Sequence, residues 1–442
     1  MREARKRLVL LGFLFAAAAA QPAFLDSLRK HPGWQAAKAR LDAAQLADRL
    51  SPDWVELDAS GGWSRRQLDQ GDPCPFLNDP DPTNDVFCSF ISPDLPDEAG
   101  QAQVGLTLRP IPFGDFADRQ RQAALDREEA ELDFRLARSR LEVEALRAAL
   151  QVMEAEQGLE LAMEGRRFAE RALAATQLRV EKGAAGPREL RDANLALARA
   201  REQARNTEEQ RKLARNALLA FTEEPPPAPP WFRTPLPGGE PPEVTRARLQ
   251  LERARIGQVH SGRDLLPVLQ IEYREHLDDQ NLLGVLLESR TLGTRVYYDY
   301  TSYADPTRSR TESELRLGAR LNLSVASWSQ VEQARRLVDA AQSSLEATRK
   351  SAAIQVDRLK TVLAQRVRSV DLAVLALENA RKTEQETARR LELGLSTPLE
   401  HLRSQLDRLA AAFELTRARN DVLRAQLDYL VYLGVPPSEV WR

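Results

Sequence analysis

From Asp115 to Glu181 the sequence runs for 67 residues without a proline, and its only glycines there are Gly158 and Gly165. Apolar residues recur at helical steps through Leu132, Leu136, Val143, Leu146, Leu150 and Met153. This is the seam of an amphipathic helix, with a mean step near the coiled-coil value of ~3.5. At ~1.5 Å per residue it predicts a rod about 100 Å long. No compact domain encloses such an element, so the rest of the chain must supply long partners for it.

Composition fits that demand. The 442 residues are 43% hydrophobic and 29% charged but only 6% aromatic, which suits long amphipathic helices better than one large globular core. The 63 basic and 65 acidic residues nearly cancel, so no basic excess marks a nucleic-acid partner. At the start, Arg2, Arg5, Lys6 and Arg7 precede the apolar run Leu8 to Ala20, with small residues at Ala18 and Ala20. The run is too short to span a bilayer and reads as a signal peptide, residues 1–20, cleaved before Gln21. A buried helix start is the alternative. No later run is long enough for a membrane helix, so membrane insertion of an exported chain would use strands. The only cysteines, Cys74 and Cys88, lie in a loop rich in Pro, Asp and Asn. Export favours a disulfide between them, contributing roughly 3 kcal/mol, over two free thiols.

Taken in order, helical spacing from Ala23 to Leu50 ends at Pro52. Val55, Leu57, Ala59, Gly61 and Trp63 then alternate with polar or small residues, a strand over about 53–65. After the Cys loop, Val104, Leu106 and Leu108 alternate again, a second strand over about 102–112. The long helix, 115–181, stops at Gly183, and Pro187 opens a further helix, 187–221. A proline-rich linker, 222–242, marks the best boundary. The pattern then returns over 243–442. A helix leads to a strand over about 267–276, and a long loop carries Tyr297, Tyr298, Tyr300 and Tyr303. A strand over about 312–326 follows, then a helix over 329–393 with neither Gly nor Pro, the turn at Gly394, and a last helix, 398–433. Gly183 matches Gly394, Pro187 matches Pro398 and Glu189 matches Glu400, each 211 residues apart. Residues 21–221 and 243–442 are thus two copies of one helix–hairpin–helix unit.

The fold class expected is mainly α with a β part. Four strands with one apolar and one polar face suit a transmembrane barrel shared by several chains. A small soluble sheet packed on the helices is the alternative. No phosphate loop, Cys/His metal spacing or catalytic triad is present. His31, His260, His276 and His401 are scattered, so neither an enzyme nor a cofactor site is expected.

The duplicated unit, the segment LTLRPIPFGD from Leu106 to Asp115 and the turn segment RRLELGLSTPLEHLRSQLD around Gly394 resemble the TolC-like outer membrane efflux proteins. That resemblance implies a homotrimer in outer-membrane lipid, with four strands per chain forming a 12-stranded barrel. It also implies a helical tunnel in the periplasm. A periplasmic adaptor (membrane fusion) protein and an inner-membrane pump would be its partners, in drug, metal or protein export. The turns at Gly183, Pro187, Gly394 and Pro398 would form the periplasmic tip, with Glu189, Asp192, Glu400 and Arg403 near its opening. Thr397 to Glu400 also reads as a capping box, so a capping role and a pore role stay open for Glu400. A coiled-coil scaffold would leave the strands unexplained. A passive porin would leave the rods unexplained.

Overall fold

The computed structural model describes residues 24, 27–51, 54–65, 98–222, 236–302, 313–321 and 324–440. The expected signal segment and the Cys74/Cys88 loop lie outside them, as does most of the proline-rich linker. The described chain runs α1 (Pro32–Leu50), β1 (Val55–Arg65), β2 (Glu98–Leu108), α2 (Gly114–Glu181), α3 (Pro187–Leu219) and α4 (Pro242–Arg263). It continues β3 (Val268–His276), β4 (Asn281–Glu288), β5 (Gly293–Thr301), β6 (Ser313–Arg320), α5 (Val325–Glu392), α6 (Pro398–Leu433) and α7 (Pro437–Val440). The two long helices, α2 and α5, have 68 residues each. No described helix is long and apolar enough to cross a membrane.

Two compact units form, each drawing on both sequence halves. In the first (1–43, 128–249 and 343–442), the seam of α2 is the core. Val143, Leu146 and Leu150 pack with Leu423, Leu427 and Leu430 of α6 and with Phe24 and Leu28. One face of α2 is therefore dry over several turns, which is what its spacing demanded. Ala148, Ala149 and Val152 pack instead against Leu218 of α3, small residues letting that helix approach. Polar groups lock the end of the chain to the same helix. Glu142, 2% exposed, accepts from Arg138 Nε at 2.9 Å, Ser438 N at 2.9 Å and Ser438 Oγ at 2.8 Å. Ser139 Oγ donates to Val435 O at 3.1 Å.

The second unit (44–127 and 250–342) holds a single six-stranded antiparallel sheet in the order β1-β2-β5-β4-β3-β6. Its strands alternate in direction from edge to edge. Phe116, fully buried at the start of α2, meets Trp54 edge-on at 5.6 Å. Arg109 lies over the same ring.

Three expectations need correction. The sheet has six strands among the described residues, not four, because the stretch expected as a tyrosine loop folds as the hairpin β4–β5 in its middle. Leu282, Leu283, Leu286 and Leu287 fall on both faces of β4, which hides the period-two signal, and Gly284 looks like a strand breaker. The structure uses Gly284 differently. A Cβ there would stand 2.2 Å from Tyr297 Cζ, so the ring of the paired strand occupies its place. Secondly, β6 ends at Arg320, and Val325 opens α5 rather than continuing the strand. Finally, the first helix breaks at Lys30 and His31 because Pro32 lacks the donor that would carry it through, and α1 starts there.

Candidate functional site

Two features of the structure have functional potential, the sheet and the helix turns. The register sorts the sheet residues into two faces. On one lie Val55, Leu57, Val104, Leu106 and Leu108 of the first hairpin. The same face continues through Val296 and Tyr298 of β5, Val285 and Leu283 of β4, and Leu269 and Ile271 of β3 to Leu315 and Leu317 of β6. These side chains are widely exposed, Leu57 and Leu317 each at 74%. A soluble protein rarely leaves an apolar face of such extent open to water. The tyrosines expected in a loop divide between the faces. Tyr298 and Tyr300 lie on the apolar one, Tyr297 is buried on the other, and Tyr303 falls outside the described residues.

The opposite face carries charges, and several of them are paired. Arg109 Nη2 reaches Glu56 Oε2 at 2.5 Å, and Arg295 Nη2 reaches Asp58 Oδ2 at 2.5 Å and Gln103 Oε1 at 3.3 Å. Arg274 pairs with Glu272 at 3.0 Å and Arg316 with Glu314 at 2.7 Å. Tyr297 Oη donates to Glu272 Oε1 at 2.5 Å. Outside β4, which is apolar on both faces, alternation along the strands thus gives the sheet one apolar and one charged surface, a pattern that suits lipid on one side and water on the other.

Beside the sheet a second cluster forms from residues far apart in sequence. Asp115 and Asp118 of α2 and His260 of α4 place their ligand atoms close enough for a metal ion. Their carboxylates are already taken by guanidinium groups. Arg263 holds Asp115 Oδ1 at 3.1 Å and Asp118 Oδ2 at 2.5 Å, while Arg290 pairs with Asp115 and Asp264. The cluster therefore joins the ends of two helices to the β4–β5 turn. Sequence reading missed it, because nothing in the spacing of 115, 260 and 290 links them.

The helix turns repeat each other closely. Gly183 and Gly394 have φ of +73° and +72°, a left-handed conformation that costs glycine least. Gly183 N donates to Val180 O at 3.0 Å and Ala184 N to Arg179 O at 2.7 Å. The second turn copies this, with Gly394 N to Leu391 O at 3.0 Å and Leu395 N to Arg390 O at 2.7 Å. Both are helix-terminating left-handed motifs followed by Pro at the first position of the next helix, Pro187 and Pro398.

The helices that follow start differently. Thr397 and Glu400 form a full capping box. Glu400 Oε2 accepts from Thr397 N at 2.8 Å and Ser396 Oγ at 2.7 Å, and Glu400 N donates to Thr397 Oγ1 at 3.2 Å. The Thr397 backbone N–H, then the Ser396 hydroxyl, hold the Glu400 carboxyl below the usual carboxylate range. Gly186 offers no side-chain cap, and Glu189 instead stands 3.5 Å from Arg179 across the turn. Asp192 and Arg403 are exposed on the second turns of α3 and α6. Arg403 has no ion pair among the described residues.

The family model "Outer membrane efflux protein" matches residues 26–222. Among curated proteins no match to the chain was found. Among solved structures, the outer membrane protein VceC from Vibrio cholerae superposes with a TM-score of 0.64 at 16% identity, over 95% of this chain and 97% of that one. A membrane protein from Pseudomonas aeruginosa gives 0.62 at 17% identity, over 94% and 90%. The CmeC outer membrane channel of Campylobacter jejuni gives 0.62 at 13% identity, over 94% and 85%. The resemblance to the TolC-like outer membrane efflux proteins is thus established: residues 26–222 carry the family's sequence pattern, and the fold of such channels extends over almost all of the chain.

Proposed function

We propose that this chain is the outer-membrane exit duct of an export system. Three copies close a barrel in the lipid, and their helices form a tunnel through the periplasm. The exposed apolar face of the sheet carries this reading, because lipid is the solvent such a face requires once its opposite surface is charged. The long helices and glycine turns support it by supplying the tunnel and a tip where a periplasmic adaptor and an inner-membrane pump would engage. The duct works without catalysis or cofactor. Its task is to offer cargo a continuous wet path, and the paired charges of the polar face suit one that attracts neither sign strongly.

The mature protein, starting near Gln21, will sediment with outer membranes and give a trimer mass in detergent by native mass spectrometry. A soluble monomer would sink the proposal. Deletion of the gene should abolish export of at least one compound while leaving small-solute uptake unchanged, which separates an efflux duct from a passive porin.

A further inference from the structure

The hairpin β4–β5 lies inside the sheet, between β2 and β3, rather than at an edge or in a loop above it. It is paired along its length on both sides, from Gln101↔Thr301 to Leu108↔Thr294 with β2 and from Gln270↔Glu288 to His276↔Leu282 with β3. Its side chains keep the apolar face unbroken through Val285, Leu287, Val296 and Tyr298, while Arg295 and Asp299 share the opposite face with Leu282 and Leu286. Both turns are built rather than slack. At one end Asp278 Oδ1 accepts from Gln280 N at 2.8 Å and Asn281 N at 2.7 Å. At the other, the Arg290 carbonyl oxygen sits where a Cβ on Gly114 would be, 1.9 Å away, and the Arg290 side chain pairs with Asp115 and Asp264.

We infer that each subunit contributes six strands to the membrane wall, and that three subunits close an 18-stranded barrel. The inference deepens the reading of the chain as a trimeric outer-membrane channel and rests on it. Parity supports closure. With six strands alternating in direction, edge strand β1 runs opposite to edge strand β6, so β6 of one copy meets β1 of the next antiparallel and no edge is left open. Barrel diameter grows roughly in proportion to strand number, so this opening would be about half as wide again as a 12-stranded one. Barrels of about this strand number leave an aqueous channel. The outer-membrane passage would then suit cargo bulkier than a 12-stranded duct admits.

Electron cryo-microscopy of the full chain in lipid nanodiscs tests this, because it counts subunits and strands separately. Three subunits with eighteen strands is the expected result. Three subunits with twelve strands, the β4–β5 hairpin lying off the wall, would overturn the inference and leave the channel reading intact. Any other copy number, or no barrel, overturns both. A variant lacking Asp278–Thr301 brings β2 beside β3 with antiparallel order preserved. If it assembles, its barrel should be about one third narrower, and an unchanged width would count against the inference.

Discussion

Arg295 of β5 donates from Nη2 to Asp58 Oδ2 of β1 at 2.5 Å, passing over Gly105 of the strand between them. A Cβ at 105 would stand 2.7 Å from Asp58 Oδ1 and 2.8 Å from Arg295 Nε, so the glycine is the gap through which the pair meets. The pair ties the middle hairpin to the sheet edge two strands away. Both side chains are about one-third exposed, 31% and 37%, so the Coulomb gain is small. A double-mutant cycle with Arg295→Gln and Asp58→Asn should show coupling of about 0.5 kcal/mol in denaturant unfolding. In the Gly105→Ala background that coupling should vanish. Coupling that survives there would mean the pair does not depend on the gap.

Gly284 and Tyr297 make a tighter lock, because the ring fills the volume a side chain at 284 would need. Gly284→Leu forces the ring out and breaks its hydrogen bond to Glu272, an overpacking cost of roughly 1–3 kcal/mol. Gly284→Leu combined with Tyr297→Ala should recover part of that loss. Thermal dissociation of the assembly on gels checks both, and additive losses in the double variant would contradict the account.

Glu142 is the buried charge of the helical unit. Truncating it to Ala removes one partner of the Arg138 guanidinium, which keeps Glu439 and the Ser438 hydroxyl, and leaves the Ser438 N–H without its acceptor. The expected loss is roughly 1–3 kcal/mol, the cost of leaving a buried donor unsatisfied. Arg138→Leu should cost less, since Glu142 keeps both Ser438 donors and Arg138 is partly in water. Protease sensitivity at the C-terminus should rise in the Glu142 variant first.

Much of this molecule was legible in its sequence because its elements are long. The seam from Leu132 to Leu150 repeats often enough to define a helix, and Gly-then-Pro at 183 and 187 marks both a stop and a start. The clean alternation of Val104, Leu106 and Leu108 marked a strand in the same way. The middle hairpin escaped because its strands break the rules that sequence reading relies on. β4 is apolar on both faces, and its glycine has a packing role visible only once Tyr297 is opposite it. The Asp115–Arg263–Arg290 cluster escaped for a different reason. Ion pairs between residues brought together by folding leave no periodic trace.

The two turns are alike in backbone and unlike in charge, and that difference makes the tip testable. Glu400 spends both roles of its carboxylate on the cap, accepting from Thr397 N and the Ser396 hydroxyl. Because those donors lower its pKa, the cap contributes stability above the ordinary glutamate range, and that contribution is lost as pH falls through the lowered value. Wild type should therefore exceed Glu400→Gln in stability most near neutral pH, with the gap closing in acid. A gap independent of pH would show that the charge is not part of the cap. Glu189 has no such cap and faces only Arg179, with both side chains more than half exposed. In a trimer, three copies of Glu189, Asp192 and Glu400 near one opening would repel one another and gather cations. Glu189→Gln with Glu400→Gln should accordingly weaken cation selectivity in planar-bilayer conductance, and Arg403→Ala, removing an offsetting charge, should raise the open probability. If the double variant keeps wild-type selectivity and loses only stability, these carboxylates serve the helix ends alone.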